Sequence, residues 1–206
     1  MDIITRITRQ RGKMQIAISE QETIVVPLSL FRERPLTEGQ PINLEEYDNW
    51  LMVRQYRHAL DRAVACLAAR AHSKHEIEQK LLRVGYRPCT VEMVLYKLER
   101  EHLLNDADFA RQWVEARSGR KLGRSRIAQE LRRKGIDADE AEEALSVIGE
   151  DDQLADAIAL AEKAAARAKS DEDPRKTYQR IAAMLARRGF RWDITKEALA
   201  QVLQAD

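Results

Sequence analysis

Three glycines, Gly85, Gly135 and Gly189, occupy one apolar frame. An aliphatic residue stands eight and four places before each: Ile77 and Leu81, Ile127 and Leu131, Ile181 and Leu185. A large apolar residue follows each directly, namely Tyr86, Ile136 and Phe190. A further set comes six to thirteen places on: Val91, Val94, Leu95 and Leu98; Ala141, Ala144, Leu145 and Ile148; Thr195, Ala198, Leu199 and Val202. The glycines are 50 and 54 residues apart, and self-similarity at such a period means stacked copies of one supersecondary unit. Function is therefore to be sought on a surface built from repeats before any pocket is considered.

Apolar residues spaced by four before the glycine, and by three and four after it, form one face of an α-helix on either side of a break. The glycine is that break, placed where a helix C-terminus calls for a left-handed residue without Cβ strain. Ser73, Gly123 and Thr177 stand four places before the leading aliphatics as N-caps, and Ser73 with Glu76 has the capping-box spacing. The second helix begins about two residues past the glycine, where Asp137 with Glu140 repeats that spacing and Pro88 suits a first turn. A further helix precedes each pair, over 44–70 (Leu51, Leu60, Val64, Leu67), 107–118 (Phe109, Trp113, Val114) and 152–169.

The first forty residues follow a different period. Ile3, Thr5 and Ile7, then Met14, Ile16 and Ile18, alternate with polar neighbours about Gly12, which predicts a hairpin; a third run, Thr23 to Val26, ends at Pro27. A lone hairpin is marginal unless it packs on something, so this element is read as a cap on the helices, with docking of a partner as the alternative, rather than as an independent domain. The expected fold is all-α: three tandem three-helix repeats in an elongated stack behind a small N-terminal β-hairpin. The boundaries are 1–42 for the hairpin extension, then 43–105, 106–150 and 151–206 for the repeats.

Chemistry narrows the function. No apolar run approaches the roughly 18 residues needed to span a membrane, and the N-terminus lacks the basic and apolar regions of a signal peptide, so a soluble, cytoplasmic protein is expected. Cys66, on an apolar helical stretch, and Cys89, read as lying in an inter-helix loop, have no paired spacing, which argues against a disulfide framework or a zinc site. Gly12-Lys13-Met14 lacks the upstream glycine of a P-loop, and Gly123-Arg124-Ser125 fails the same test. His72 and His75 straddle the N-cap Ser73, where helical spacing fails, while His58 and His102 have no partners at ligand spacing. No catalytic residue, metal site or cofactor is expected, and the chain is not read as an enzyme.

Net charge is only +1, from 35 Lys and Arg against 34 Asp and Glu, but its distribution is uneven. Residues 111–134 hold nine basic residues against Glu115 and Glu130, a local +7, whereas 137–206 hold ten against sixteen, a local −6. The basic group is Arg111, Arg117, Arg120, Lys121, Arg124, Arg126, Arg132, Arg133 and Lys134. A positive middle beside a negative end favours a polyanion, or a protein surface of alternating sign, over uniform coating of a duplex. Guanidinium groups beside flexible glycines and a helix N-terminus suit phosphate or carboxylate contact.

Several stretches resemble the RecX family of bacterial recombination regulators. They are Ala63 to Leu67, Arg70, Ser73 to Leu81, Gly85-Tyr86, Val94 to Leu98, and above all Leu104-Asn105-Asp106-Ala107-Asp108-Phe109-Ala110. The likeness continues through Arg117, Gly123, Ile127, Glu130-Leu131 and Lys134-Gly135-Ile136, is strong over 59–150, weaker over 151–204, and general in character over 1–50. In the most specific piece, Asp106 is expected to N-cap the next helix, and Phe109 and Ala110 to pack at the junction of the first and second repeats.

The resemblance implies a binding protein that lies in the groove of a RecA-type recombinase filament on single-stranded DNA. There it would block ATP turnover, strand exchange and repressor co-cleavage. Arg117, Arg120, Lys121, Arg124, Arg126, Arg132, Arg133 and Lys134 are the expected contact stripe to recombinase acids or DNA phosphates. Direct contact with single-stranded DNA would be salt-sensitive, and the chain is expected to be monomeric. A tandem helix-turn-helix transcription regulator is the alternative, because helix, glycine turn, helix also describes that module. Glu140, Glu142, Glu143 and Glu197 on its presumptive reading helices would repel phosphates. A helical scaffold for another partner is the third reading.

Overall fold

The computed structural model describes residues 2–19, 22–168 and 173–203 and divides into two compact units at Asn105/Asp106. The first unit runs β1 (Asp2–Gln10), β2 (Lys13–Ile18), β3 (Glu22–Pro27), α1 (Leu28–Glu33), β4 (Pro41–Ile42), α2 (Leu44–Ala69), α3 (Lys74–Val84) and α4 (Pro88–Arg100). The hairpin exists, with Gln10 opposite Lys13, Ile7 opposite Ile16, Ile4 opposite Ile18 and Gly12 at φ 89°. It is, however, part of something larger: β3 and β4 extend it to a four-stranded antiparallel sheet of order β3-β2-β1-β4.

The reason lies in the period-2 pattern, which puts Met14, Ile16 and Ile18 on one face of β2. That face is buried together with Ile77, Leu81, Val94 and Leu98 of α3 and α4, so sheet and helices share one core. Helix α2 shows a different stripe from the one expected. Its buried line is Tyr47, Leu51, Gln55, Ala59 and Ala63, whereas Val64 is 43% exposed. The two alanines have only a methyl group to hold neighbours off, so they turn inward and the larger β-branched residue stays at the surface.

The second unit comprises α5 (Asp106–Ser118), α6 (Arg124–Arg133), α7 (Ala138–Leu145), α8 (Glu150–Ala165), α9 (Pro174–Arg188) and α10 (Trp192–Leu203). One core gathers Phe109, Ala110, Val114, Ile127, Leu131, Ile136 and Leu145. The other gathers Ala157, Ala161, Ile181, Leu185, Phe190, Ala198 and Leu199. Phe109 and Ala110 thus lie inside the α5–α7 core, and Asp106 is the first helical residue of α5 rather than its cap.

All three glycines are left-handed, with φ of 101° at Gly85, 76° at Gly135 and 89° at Gly189. Around each, the amide of the following residue donates to the carbonyl five places before it: Tyr86 to Leu81 (3.4 Å), Ile136 to Leu131 (3.2 Å), Phe190 to Leu185 (3.2 Å). The glycine amides donate to Leu82, Arg132 and Ala186. These are Schellman motifs, in which an apolar residue after the glycine packs against one a turn back. That contact explains why Tyr86, Ile136 and Phe190 are large and buried.

Helix starts follow the sequence in two of three repeats. Ser73 forms a full capping box with Glu76, and Gly123 is the N-cap of α6. In the third, α9 begins a turn earlier than Thr177: Asp173 caps it, accepting from the Arg175 amide at 2.8 Å, and Pro174 takes the first position. An aspartate directly before a proline is a stronger start signal than an isolated threonine, and Thr177 is instead buried within the helix. Cys89 likewise lies in the first turn of α4, exposed, rather than in a loop.

Candidate nucleic-acid and recombinase interface

An open groove of about 1290 Å³ lies in the second unit between α6, the α5–α6 turn and the end of α9. Arg117, Arg120, Arg126, Arg132, Arg187 and Arg188 line it, and Glu130 is its one carboxylate. Helix period explains the α6 contribution: Arg126, Gln129, Glu130 and Arg132 lie away from the stripe of Ile127 and Leu131 that faces the core.

Glu130 is fully engaged. Its Oε2 accepts from Arg117 Nε at 2.6 Å and from Trp113 Nε1 at 3.1 Å, and its Oε1 lies 3.5 Å from Arg126 Nε. Burial is the largest single influence on its acidity and pushes it up, yet the hydrogen bonds and charges of Arg117, with Trp113 and Arg126, together hold it below the ordinary glutamate range. It stays ionised, which makes it a brace for arginines and a poor proton acceptor. Arg117 also stacks over the Trp113 ring at 4.0 Å, and Lys134 Nζ sits 4.0 Å from the same ring, which stacks on Phe109.

Of the eight basic residues expected as a stripe, Arg117, Arg120, Arg126 and Arg132 come together in the groove. The other four lie elsewhere. Arg124 turns to α7, ion-pairing with Glu142 and donating to the Leu145 carbonyl at 3.1 Å. Lys121 pairs with Asp156 of α8 at 2.7 Å, Lys134 covers aromatic rings, and Arg133 is exposed outside the groove lining. Among the described residues, Arg120, Arg132 and Arg187 make no ion pair, so three guanidinium forks are available to an incoming anion.

Arg187 and Arg188 lie within 137–206, a segment in which sixteen acids outweigh ten basic residues. A positional signal was present nonetheless: they stand two and one places before Gly189, as Arg133 and Lys134 stand before Gly135. Arg188 does two things. Its Nη1 donates to the Arg120 and Lys121 carbonyls at 3.2 and 3.3 Å, and its own carbonyl accepts from the Gly123 amide at 2.9 Å. Lys121 adopts φ 54°, a left-handed conformation uncommon for a side-chain-bearing residue, within that same turn.

In the first unit, one shallow groove is lined by the single arginine Arg100 and another by the single arginine Arg87. His72 is buried, with Nδ1 3.0 Å from the Arg70 carbonyl and Nε2 2.8 Å from Lys80 Nζ, so the neutral ring donates through Nδ1 and accepts at Nε2. Among the described residues, no group of three His, Cys, Asp or Glu side chains is arranged to hold a metal ion. No helix of the described residues is long and apolar enough to cross a membrane.

Comparison with known proteins agrees with the repeat architecture. The first, second and third three-helix domains of RecX match residues 59–98, 105–145 and 150–199. The regulatory protein RecX of Clostridioides difficile is 31% identical over 210 residues, covering 100% of this chain and 98% of its own length. That of Prosthecochloris aestuarii is 36% identical over 148 residues, covering 71% of this chain and 95% of its own. A crystal structure of RecX from Lactobacillus salivarius superposes with a TM-score of 0.67 at 26% identity, over 73% of this chain and 97% of that one. A second crystal structure, of a regulatory protein RecX, shares the fold over both full chains at TM-score 0.66 and 22% identity. Three glycine-centred helical domains in order, and near-complete overlap with a relative above 30% identity, show that the chain belongs to the RecX family of regulatory proteins.

Proposed function

We propose that the chain is a non-catalytic regulator that binds a RecA-type recombinase filament on single-stranded DNA and inhibits its ATP hydrolysis, strand exchange and co-protease activity. The observation that carries this reading is the arginine groove, where six guanidinium groups face one carboxylate that is already spent on Arg117, Arg126 and Trp113. Such a surface attracts extended anionic partners, phosphate chains or acidic protein faces. Family membership supports a regulatory role, and the groove supplies it with a contact surface. A monomer acting in the cytoplasm, where that filament forms, fits this role.

The test is ATP turnover by recombinase on single-stranded DNA with and without the purified protein. Inhibition at equimolar protein is expected. Unchanged hydrolysis and unchanged filament length would refute the proposal. Binding to one duplex sequence that survives excess nonspecific DNA would instead favour a transcription regulator.

A further inference from the structure

The groove is composite, and its two halves meet at an unusual place. Four arginines belong to α5, α6 and the turn between them, whereas Arg187 and Arg188 end α9; Arg188 is 68 positions from the Arg120 carbonyl that it contacts. The halves are joined by backbone. The Gly123 amide donates to the Arg188 carbonyl at 2.9 Å and the Ser125 amide to the Gly189 carbonyl at 3.2 Å. First-turn amides and last-turn carbonyls are groups that a helix cannot satisfy by itself. Here the start of α6 and the end of α9 satisfy each other, in the head-to-tail sense that helix dipoles favour. Accordingly, α6 has no side-chain cap at its start.

Only glycine permits this approach. A Cβ on Gly123 would overlap the carbonyl carbon and oxygen of Gly189 and the Phe190 amide nitrogen. A Cβ on Gly189, which is left-handed in any case, would overlap the Arg126 amide and Cα. Those are backbone atoms, so no side-chain rotation relieves the clash. The helices must part, and the residues that part with α9 are those directly before Gly189: Arg187 and Arg188.

We propose that Gly123 and Gly189 are positioning residues for the arginine groove, and that the site exists only while their backbones are in contact. The inference rests on the regulator reading and adds to it that the third repeat contributes to binding through this junction. The groove is thereby a property of two repeats together, and a protein lacking α9 keeps only four of its six arginines.

The experiment is a double-mutant cycle between Gly123→Ala and Arg187→Ala, read as the concentration giving half-inhibition of recombinase ATP hydrolysis, over a salt series. Losing one phosphate contact at about 0.15 M salt raises that concentration about fourfold, and losing two raises it more than tenfold. Arg187→Ala is expected to cost about fourfold in the wild-type background and nothing further in the Gly123→Ala background. Gly123→Ala itself is expected to cost at least the same fourfold and to flatten the salt dependence, an effect that a merely structural role would not produce. Helicity by circular dichroism checks the fold; should Gly123→Ala not fold, Gly189→Asn takes its place, since asparagine tolerates the left-handed backbone while its Cβ still parts the helices. If Arg187→Ala costs its full fourfold in either glycine background, the inference is overturned and the regulator reading stands. If the wild-type chain does not inhibit hydrolysis, the regulator reading fails, and with it any role for the junction.

Discussion

Replacing Arg120, Arg132 and Arg187 together by alanine gives the most quantitative test of the groove. These are the groove arginines whose guanidinium groups have neither a carboxylate nor a backbone-carbonyl partner among the described residues, so each is available to neutralise one phosphate. On single-stranded nucleic acid each neutralised phosphate contributes about 0.7 to the slope of log affinity against log salt, so three contribute about 2.1. Between 50 and 200 mM salt that slope amounts to roughly a twentyfold loss of affinity. Titrating a fluorescent oligodeoxythymidylate by anisotropy at several salt concentrations measures it directly. The wild-type line should be steeper than that of the triple variant by about 2. The variant should also unfold within about 0.5 kcal/mol of wild type per site, because all three side chains are at the surface and unpaired. Parallel lines would refute the reasoning, since they would mean that these guanidinium groups release no counterions on binding.

The remaining predictions concern single sites. Arg126→Glu should weaken inhibition of recombinase more than Arg124→Glu, because Arg126 lines the groove whereas Arg124 is tied to Glu142 and the Leu145 carbonyl; equal inhibition curves would remove the distinction. Gly85→Ala should lower stability by about 1–2 kcal/mol for the left-handed backbone alone, with added crowding against Val25 and Lys13, and thermal unfolding measures it. Stability should fall in acid. Glu130 and His72 both have folded pKa values below their ordinary ones, so each contributes stability above its unfolded pKa and loses it as pH drops through the folded value, for His72 below about 6.5 and for Glu130 below about 4.5. Glu130→Gln should remove part of the acid-sensitive step in urea titrations near pH 4, and an unchanged pH profile would count against the Glu130 brace.

The repeat frame was legible because Schellman turns demand two things at once, a left-handed glycine and an apolar residue after it, and both are written in sequence. Helix starts were legible where a cap has a distinctive partner, as Ser73 has in Glu76, and misplaced where Thr177 competed with Asp173-Pro174. The α2 stripe was misread because alanine and glutamine carry weak apolar signals, although Ala59, Ala63 and Gln55 are the residues buried. The groove was half visible. Charge density marked the second repeat, but the contribution of α9 depends on a contact between Gly123 and Gly189 that no local pattern announces.

The sheet around Gly85 gives the first repeat a partner that the described residues do not give the other two. Strands β2 and β3 bring Lys13 and Val25 against that glycine, and their apolar residues complete the core of α3 and α4. The opening copy is therefore not a spare part: transplanted elsewhere in the chain without its strands it would leave an oily flank wet, and neither later copy, with no such strands among the described residues, could stand in for it. Recombining these modules in the laboratory should respect that asymmetry, keeping residues 2–100 as one cassette and exchanging material only beyond it.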